Sequence, residues 1–357
     1  MTDLENAFVS PNITLIDAIK ALNNTSEQIL LVVNENKQLF GTVTDGDIRR
    51  ALIEKIDFDK PVATIMKKKP VVLFEPVNKN IALQLMKKFY LRQLPVVNRN
   101  KTVVDMILWK DIFKEELEEK VPKKTNSVII MAGGKGKRLD LFTKILPKPL
   151  IPVGDKPIVE HVITNFKKYG FDNFFISVNY KKEMIKSYFS EDSKSNISFI
   201  EEKKYLGTAG ALSLCKEIVN DTFIVSNCDI IMDADIEDFF KYHKKNKCDA
   251  TILGTVQNIK IPYGVLNAYN GILESITEKP EYNFIVNAGV YILEPKLLKF
   301  VDDTKKTDMT ELLITAQENN YNIHVYPIIC SWFDVGQWDE YKKAVDHVNS
   351  MNNTNDV

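Results

Sequence analysis

The residues with the clearest chemical potential form a glycine turn at 131–138, Met-Ala-Gly-Gly-Lys-Gly-Lys-Arg, directly after the apolar run 128–130. A buried strand that ends in such a turn lets backbone N–H groups approach a polyphosphate, because Gly133, Gly134 and Gly136 have no Cβ to block it. In a chain of net charge −1, only Asp140 and Asp155 oppose the cations around this turn, which are Lys135, Lys137, Arg138, Lys144, Lys148 and Lys156. The pattern predicts binding of a nucleoside triphosphate and transfer of its phosphate.

Two common glycine-loop motifs do not account for this turn. A P-loop requires G-x-x-x-x-G-K-[ST], which the chain lacks. A dinucleotide-binding fingerprint requires a third glycine where this chain has Leu139. The turn instead reads G-G-x-G-x-R-L and is followed by P-K-P-L-x-P-V at 147–153. A lone glycine turn is often an ordinary solvated loop, but the two blocks in this order argue against that interpretation.

Two aspartates could supply a metal site. Asp229 follows the apolar segment 222–226, and Asp334 follows the segment that ends at Ile329. Either residue alone would more often be a turn or cap residue. If both lie at the carboxyl edge of one sheet, they form a hard oxygen site that suits Mg²⁺, which binds carboxylates together with phosphate oxygens.

Composition limits the class of protein. A chain of 357 residues is long enough for two domains, and its 45% hydrophobic and 27% charged content is that of a globular protein. No apolar run approaches the ~20 residues that span a bilayer, and the N-terminus lacks a secretory signal. The four cysteines form no C-x-x-C pair, and the balanced charge gives no reason to expect nucleic-acid binding. We therefore expect a cytoplasmic protein without membrane or nucleic-acid partners, acting as a homo-oligomer.

The first part of the chain contains an internal repeat. The segment 32–37, Val-Val-Asn-Glu-Asn-Lys, recurs at 96–101 as Val-Val-Asn-Arg-Asn-Lys, and Asp47 recurs as Asp111. Each copy reads as a helix, a strand, a turn at Asn-x-Asn, a second strand and a further helix. Units of this size cannot bury a core alone, so the two copies should pack against each other. This domain is predicted to span 1–120.

The second part, 125–350, alternates strands and helices. Alternation of this kind predicts a three-layer α/β/α domain with a mostly parallel, Rossmann-like sheet, whose ligand lies outside the carboxyl ends of the strands. Strands are predicted at 127–131, 173–178, 197–200, 222–226, 249–255, 284–292 and 323–329. The glycine turn and Asp229 each follow one of these strands.

The repeat resembles a tandem pair of CBS domains. Its most specific part is 41–47, Gly-Thr-Val-Thr-Asp-Gly-Asp, which is similar to the ribose- and phosphate-contacting stretch of that family. The resemblance implies an adenine nucleotide bound by Thr44 and Asp47, with a regulatory or assembly role for the pair. The alternative is that Thr44 and Asp47 only cap the helix that follows them.

The second domain resembles the sugar-1-phosphate nucleotidyltransferases, whose domain is of the GT-A-like type. Beyond the glycine turn, the resemblance is carried by Glu202 with 206–212 (Leu-Gly-Thr-Ala-Gly-Ala-Leu), 263–265 (Tyr-Gly-Val), 278–280 (Glu-Lys-Pro) and 287–289 (Asn-Ala-Gly). It implies catalytic roles for Arg138 and Lys148 and Mg²⁺ ligation by Asp229 and Asp334. The implied nucleotide-binding residues are Met131, Ala132, Gly133, Gly134, Gly136, Lys137, Glu202, Gly207 and Thr208. The implied sugar-phosphate-binding residues are Gly264, Glu278, Lys279 and Asn287.

The base preference is inferred from Glu202. Related enzymes that transfer uridylyl or thymidylyl groups often have Gln here, whereas an ionised Glu only accepts hydrogen bonds and suits the N1–H and N2 amine of guanine. This predicts GTP as donor. Within the family, the fusion most resembles the glucosamine-1-phosphate guanylyltransferases of bacterial legionaminic acid synthesis.

Other interpretations remain open at this point. The protein could belong to the same enzyme class but use another pair of substrates, as a uridylyl- or thymidylyltransferase or a mannose- or heptose-1-phosphate guanylyltransferase does. A protein of another class, a non-catalytic sensor of adenine nucleotides, would keep the fold without its chemistry. Lys137, which stands where the family usually has Thr or Ser, favours the sensor; the intact Arg138, Lys148, Asp229 and Asp334 argue against it.

Overall fold

The computed structural model describes residues 4–25, 28–89, 91–109, 122–190 and 196–353, without the side chains of 87, 137, 140 and 351–353. Asp111 and the region 110–121 therefore lie outside the described residues, as does the side chain of Lys137. The chain divides into two compact units, Met1–Lys120 with Pro327–Ile329 and Val121–Tyr326 with Cys330–Val357. No helix among the described residues is long and apolar enough to cross a membrane.

The first unit contains the repeat as two similar three-stranded sheets. In each, a short strand pairs in parallel with the middle strand, which pairs antiparallel with the third. The strands are β1 Phe8–Val9, β2 Ile29–Val33, β3 Leu39–Thr44, β4 Leu73–Phe74, β5 Gln93–Val97 and β6 Val103–Leu108. The helices are α1 Leu15–Asn23, α2 Asp45–Ile53 and α3 Lys79–Phe89.

The two copies pack against each other, as the repeat predicts. One buried apolar cluster contains Leu31 and Val33 from the first copy together with Val97, Val103 and Met106 from the second. The two Asn-x-Asn turns also meet, because the amide of residue 39 donates to the carbonyl of residue 101 at 2.9 Å and that of residue 103 to residue 37 at 3.0 Å.

The repeated asparagines have the same local role in both copies. The Asn34 side-chain oxygen accepts from the backbone N–H of residue 36 at 3.0 Å, and that of Asn98 accepts from residue 100 at 2.9 Å. Lys37 and Lys101 then adopt φ of 58° and 63°, in the left-handed region. Asparagine favours this kind of tight turn, because its side chain bonds its own backbone two residues on.

The second unit is built on a seven-stranded sheet of order β11-β10-β7-β12-β17-β14-β18. Its strands are β7 Lys124–Met131, β10 Phe171–Val178, β11 Asn196–Glu201, β12 Phe223–Asn227, β14 Ala250–Lys260, β17 Glu281–Leu293 and β18 Ile323–Ile328. Three smaller ribbons pair β8 Pro152–Val153 with β9 Lys156–Pro157, β13 Ile230–Met232 with β19 Trp332–Asp334, and β15 Val265–Tyr269 with β16 Ile272–Thr277.

Each predicted strand of this unit is present, and the sheet is mostly parallel, as predicted, with β17 reversed relative to its two neighbours. Strands β11, β10, β7 and β12 pair in parallel, whereas β17 pairs antiparallel with both β12 and β14. The parallel half has the long crossover connections that such pairing needs, and these put helices on the faces of the sheet.

Helices cover both faces, which makes the domain a three-layer α/β/α sandwich. The helices of this unit are α4 Asp140–Thr143, α5 Ile158–Lys167, α6 Lys182–Ser190, α7 Gly207–Gly210, α8 Ile236–Lys245, α9 Met309–Glu318 and α10 Trp338–Asn353. One buried cluster joins Ile129 of β7 to Leu312 and Leu313 of α9. On another part of the domain, Phe166 of α5 and Phe240 of α8 pack edge-on against Phe171 of β10.

Candidate active site

The glycine turn opens into a cavity of about 640 Å³. The turn follows β7, whose residues 128–130 are almost completely buried between β10 and β12. The described lining of the cavity is Met131, Gly133, Gly134, Lys135, Gly136, Arg138, Lys148, Ser177, Tyr205, Gly207, Thr208, Asn227, Cys228, Asp229 and Gly336. The site thus lies at the carboxyl ends of parallel strands, where α/β sheets bind ligands.

Two glycines of the turn are required by close packing. A Cβ built on Gly133 would lie 2.2 Å from Glu202 Oε1, so any side chain there would displace the carboxylate. Gly136 has φ of 62°, and its Cβ would lie 2.9 Å from Thr143 Cγ2 and 3.0 Å from Lys148 Cβ. The glycines therefore let the turn pack tightly on its supports as well as approach a ligand.

The aspartate pair is brought together by the β13–β19 ribbon. Ile230 pairs with Asp334 in this ribbon, and the N–H of Val335 donates to the carbonyl of Asp229 at 2.9 Å. The two carboxylates come from positions far apart in sequence. Asp229 is 7% exposed and lines the cavity.

Gly336 marks the point where the predicted charged residues converge. A Cβ built there would lie 2.7 Å from Asp334 Oδ1, 3.0 Å from Lys148 Nζ and 3.2 Å from Arg138 Nη2. Lys148 Nζ also donates a hydrogen bond to Asp229 Oδ2. The structure therefore brings both predicted cations and both predicted metal ligands to one place.

The charges of this group are strongly coupled. Burial raises the pKa of Asp334, and the neighbouring Asp229 carboxylate raises it further, against the opposing effect of Lys148. For Lys148, burial disfavours the charged ammonium, but the attraction of Asp229, with a smaller contribution from Asp334, raises its pKa above the ordinary value. Two adjoining carboxylates thus lie beside two cations, Lys148 and Arg138, in one coupled group.

The aspartate pair fits a divalent cation. Among the described residues, no group of three or more His, Cys, Asp or Glu side chains could hold a metal ion. Two carboxylates nevertheless suit Mg²⁺, because this ion is commonly bound by one or two carboxylates and completes its coordination with water and substrate phosphates. Asp229 and Asp334 would be the protein ligands.

Cys228 does not contribute a nucleophile to this site. Burial, together with the negative charge of Asp229, raises the pKa of its thiol to about 12. The thiol is therefore neutral near pH 7, and Cys228 serves as a small, buried packing residue.

Glu202 lies buried behind the glycine turn and is not part of the described cavity lining. It is 4% exposed; Oε1 accepts from the Ser177 hydroxyl at 3.2 Å, and Oε2 accepts from the Leu206 N–H at 2.9 Å. Burial raises its pKa, and these two hydrogen bonds oppose the rise. Glu202 thus connects β10, the glycine turn at Gly133 and the segment that begins at Leu206. Ala132 is also buried, at 1% exposure, and is absent from that lining.

The predicted sugar-phosphate residues lie outside the described cavity lining. Gly264, Glu278 and Lys279 are exposed and flank the β15–β16 ribbon. A Cβ on Gly264 would lie 2.9 Å from Glu278 Oε2, so these two segments adjoin. The Asn287 amide donates to Tyr291 Oη at 2.8 Å, while its oxygen accepts from the Gly289 N–H at 3.0 Å. The assignment of these four residues to a sugar phosphate remains a prediction.

Five lining residues were not predicted from sequence: Ser177, Tyr205, Asn227, Cys228 and Gly336. Ser177 and Asn227 stand at or near the ends of β10 and β12, so the rule that ligands bind at the carboxyl ends of strands could have found them. Asn227 also lies against Gly289, whose Cβ would be 2.7 Å from Asn227 Nδ2. Tyr205 and Gly336 are loop residues with no such positional rule.

In the first unit, Thr44 and Asp47 bind each other at the start of α2. One Asp47 carboxylate oxygen accepts from the Thr44 N–H at 2.9 Å and from its hydroxyl at 2.7 Å. The Asp47 side chain also forms an ion pair with Arg50. The helix-capping alternative is therefore observed, and a ligand role for these residues stays a prediction.

Comparison with known proteins assigns the two parts of the chain. Residues 127–350 match the family described as Nucleotidyl transferase, and residues 1–54 and 62–118 match the CBS domain. The chain belongs to the nucleotidyl transferase family and carries CBS domains ahead of its transferase domain.

Particular relatives are consistent with this family. The mannose-1-phosphate guanyltransferase of Yarrowia lipolytica is 35% identical over 223 residues, which are 58% of this chain and 60% of the relative. The bifunctional protein GlmU of Methanocaldococcus jannaschii is 34% identical over 236 residues, which are 62% of this chain and 55% of the relative. The chain thus spans less than two thirds of the length of these curated relatives.

A solved structure supports the same fold. HddC from Yersinia pseudotuberculosis aligns with a TM-score of 0.51 and 26% identity, covering 63% of this chain and 100% of HddC. The same protein complexed with GMP-PN aligns with a TM-score of 0.50 and 25% identity, covering 63% of this chain and 100% of that chain.

Proposed function

We propose that this chain transfers a nucleotidyl group from a nucleoside triphosphate to a sugar 1-phosphate and releases pyrophosphate. The observation that carries the proposal is the convergence of Arg138, Lys148, Asp229 and Asp334 around Gly336, beside a glycine turn that opens into one cavity. Family membership of 127–350 supports the same reaction class.

The chemistry needs one in-line displacement. A phosphate oxygen of the sugar 1-phosphate forms a bond to the α-phosphorus while the bond to the pyrophosphate oxygen breaks. The attacking phosphate is already ionised near pH 7, so no general base is required. Positioning and charge stabilisation carry such a transfer.

The residues have separate tasks in this scheme. Arg138 pairs with the β- and γ-phosphates through its planar guanidinium, and Lys148 neutralises charge at the α-phosphate. Asp229 and Asp334 hold Mg²⁺, which supplies charge neutralisation at phosphate oxygens when bound. The glycine turn, at Gly133, Gly134 and Gly136, presents backbone N–H groups to the triphosphate.

We propose GTP as the preferred donor. The guanyltransferase names of the relatives and the GMP-PN complex of HddC favour a guanine nucleotide. The Glu202 carboxylate lies buried behind the glycine turn, outside the described cavity lining, so its contact with the N1–H and N2 amine of guanine is proposed from the sequence pattern alone. Glu202→Gln should lower the ratio of kcat/KM for GTP over UTP, because the amide also donates.

Two sugar phosphates are the leading acceptors. Glucosamine 1-phosphate, for legionaminic acid or another surface glycan, is proposed from the fusion of a CBS pair with this kind of transferase domain. Mannose 1-phosphate is the second candidate, because relatives at 30–35% identity are named mannose-1-phosphate guanyltransferases.

The test is a matrix of GTP, UTP, dTTP, CTP and ATP against glucosamine, mannose, glucose and heptose 1-phosphates. Pyrophosphate release with Mg²⁺ gives the rates, and mass spectrometry identifies the nucleotide sugars. We expect GTP to be the fastest donor. Faster turnover with UTP or dTTP would reject the guanine assignment but keep the reaction class. No product with any pair would favour the non-catalytic nucleotide sensor.

We further propose that residues 1–120 form a regulatory or assembly domain and residues 125–350 the catalytic domain. The repeat and its own buried cluster support the first domain as a separate unit. An adenine nucleotide is the proposed ligand of the CBS pair, with Thr44 and Asp47 as contacts in addition to their role in capping α2.

A further inference from the structure

The loop 302–308, which precedes α9, lies along the segment 206–210 of the active-site cavity. The N–H of Thr307 donates to the carbonyl of Leu206 at 2.8 Å. In return, the Thr307 carbonyl accepts from the N–H groups of Ala209 and Gly210, each at 3.0 Å. Backbone hydrogen bonds in both directions hold the two segments together.

Side chains strengthen this contact by capping each other's backbone. The Asp308 carboxylate accepts from the N–H of Thr208 through Oδ1 at 3.2 Å, and the Thr208 hydroxyl oxygen accepts from the N–H of Met309 at 2.8 Å. Asp308 stands at the N-cap position of α9, yet no side-chain cap bond to its own helix is present. Thr208 supplies a cap for that helix instead.

Gly207 shows how closely the two segments approach. It has φ of 90°, and a Cβ on it would lie 2.5 Å from the Thr307 carbonyl oxygen and 2.8 Å from Asp308 Oδ1. Only glycine satisfies both conditions. Gly207 and Thr208 also line the cavity, so the loop 302–308 braces the wall of the site from behind.

Asp308 also forms an ion pair with Lys306 beside the same wall of the cavity. Its Oδ2 accepts from Lys306 Nζ at 2.9 Å, and that ammonium lies 6.0 Å from the centre of the Tyr205 ring. The Lys306 bond lowers the pKa of Asp308 against the effect of burial, and the Thr208 N–H lowers it further. Tyr205 lines the cavity, so one carboxylate connects the backbone at Thr208 and the neighbourhood of Tyr205.

We propose that Asp308 is a positioning residue for the nucleotide: it fixes the backbone of Gly207 and Thr208 in the conformation that receives the triphosphate. The inference rests on the proposed function, because it takes this cavity as the nucleotide site. Without the contacts of Asp308, nucleotide binding must order the backbone of Gly207 and Thr208, and the free-energy cost of that ordering reduces the affinity for the nucleotide. The loss is specific to the nucleotide, because the brace touches 205–210 and not the predicted sugar-phosphate residues.

The experiment measures GTP binding by the full-length protein with Mg²⁺ and without sugar phosphate, by calorimetry. Asp308→Ala should weaken GTP binding about tenfold, equivalent to about 1.4 kcal/mol, because the Thr208 N–H loses the carboxylate that accepts from it. Asp308→Asn should retain most of the affinity, because its amide oxygen still accepts from Thr208. In steady state, Asp308→Ala should raise the KM for GTP and leave the KM for the sugar phosphate within about twofold.

The matched control is Asp302→Ala. Asp302 is a carboxylate of the same loop, but the hydrogen bonds it accepts come from its own neighbours Thr304 and Lys305. This control should bind GTP like the wild type. Equal weakening in both variants would attribute the effect to the loop as a whole and overturn the specific role of Asp308.

A second variant tests the same contact without changing Asp308, in case Asp308→Ala does not fold. Thr208→Val removes the hydroxyl that accepts from Met309 and should weaken GTP binding in the same direction. Wild-type affinity in folded Asp308→Ala or Thr208→Val, as judged by thermal melting, would overturn the inference. A wild-type protein that binds none of the triphosphates would instead refute the proposed function, so the two failures are distinguishable.

Discussion

At the scale of single residues, the chemistry of this chain depends on charges that are held close together before any ligand arrives. Asp229 and Asp334 adjoin, Lys148 bonds to Asp229, and Arg138 lies near the same point at Gly336. Burial raises the pKa of Asp334, and the neighbouring Asp229 carboxylate raises it further, as expected for two carboxylates held close together in a functional site. A divalent cation and a polyphosphate would complement each other at such a place.

We predict that Asp229→Asn and Asp334→Asn each lower kcat by about 10²- to 10³-fold while the protein stays folded. A lost carboxylate weakens the metal site, and a loss of several kcal/mol in transition-state stabilisation corresponds to this factor. Steady-state kinetics at saturating Mg²⁺ and circular dichroism provide the two measurements.

The control for these variants is Asp233→Asn. Asp233 lies just beyond β13 but contacts His347 Nε2 at 2.9 Å instead of the cavity. It should keep wild-type turnover. Turnover near wild type in Asp229→Asn or Asp334→Asn would remove that residue from the metal site.

At the scale of elements, a lysine outside the cavity supports the loop that carries Arg138. Lys181, between β10 and α6, donates from Nζ to the carbonyls of Thr143, Lys144 and Ile145 at 3.2, 2.6 and 2.8 Å. These carbonyls are at the end of α4 and just beyond it, where a helix has free acceptors and a cation is favourable.

We predict that Lys181→Met raises the KM for GTP about five- to tenfold with a smaller effect on kcat. The neutral side chain leaves three carbonyls without their donor, and each hydrogen bond to a charged group is worth about 1.5–3 kcal/mol in a well-ordered site, less where water can replace it. Lys182→Met is the matched control, because Lys182 pairs with exposed Glu201 on the surface. Equal kinetics for the two variants would show that Lys181 does not position the loop.

A buried histidine, His243, connects a helix to two neighbouring segments of the second domain, and no sequence motif predicted it. His243 of α8 is fully buried; Nδ1 lies 2.7 Å from Thr251 Oγ1 of β14, and Nε2 lies 3.2 Å from Glu294 Oε1 just after β17. Burial lowers the pKa of His243 below its ordinary 6.5, and Glu294 offsets only part of this effect.

This gives a prediction for the pH dependence of stability. The unfolded chain takes up a proton on this histidine more readily than the folded chain does. The contribution of neutral His243 to the free energy of unfolding is therefore complete above pH 6.5, and it is lost as the pH falls toward the pKa of the folded state. We expect the wild-type melting temperature to fall more steeply between pH 7 and 5 than that of His243→Gln. His324→Gln, at a histidine beside Tyr242, should keep the wild-type slope. Parallel slopes for wild type and His243→Gln would contradict the prediction.

At the scale of the whole molecule, the first unit combines a repeated core with the regulatory or assembly role proposed for it. Two capping pairs of the same type occur in it: Thr44 with Asp47 at α2, and Thr14 with Asp17 at α1, where the Thr14 hydroxyl accepts from the Asp17 N–H at 3.2 Å. The two pairs share their local geometry, so a comparison between them separates capping from ligand binding.

We predict that a truncated chain beginning at Lys123 folds and transfers nucleotide, because residues 125–350 have their own sheet and core. In the full-length protein, an adenine nucleotide bound to the CBS pair should raise the melting temperature through binding linkage. Asp47→Ala should abolish this rise. Asp17→Ala removes the carboxylate that accepts from the Thr14 hydroxyl at 2.8 Å. It should lower the melting temperature of the unliganded protein about as much as Asp47→Ala does, and it should keep the rise on binding the adenine nucleotide.

Calorimetry with AMP, ADP and ATP on the full-length protein checks the result directly. Binding that survives in Asp47→Ala would leave Asp47 as a helix cap only. An inactive truncated chain that remains folded would show that the CBS pair is required for catalysis rather than separable from it.

The sequence determined the elements of this protein because their patterns are local. Each predicted strand of the second domain appears within a few residues of its predicted bounds, and the Asn-x-Asn repeat marks the same turn twice. Glycines at 133, 134 and 136 and the order of the motif blocks were sufficient to predict the family. These features depend on hydrophobic periodicity and turn chemistry within short windows.

Only the tertiary structure decided which residues meet. It joined Asp229 to Asp334 through a two-stranded ribbon, placed Glu202 behind Gly133, and set the loop at Asp308 against Thr208. It also set β17 antiparallel to β12 and β14, which alternation of strands and helices does not specify. Such contacts connect positions far apart in sequence, and their geometry depends on how every intervening element packs, so no local pattern encodes them.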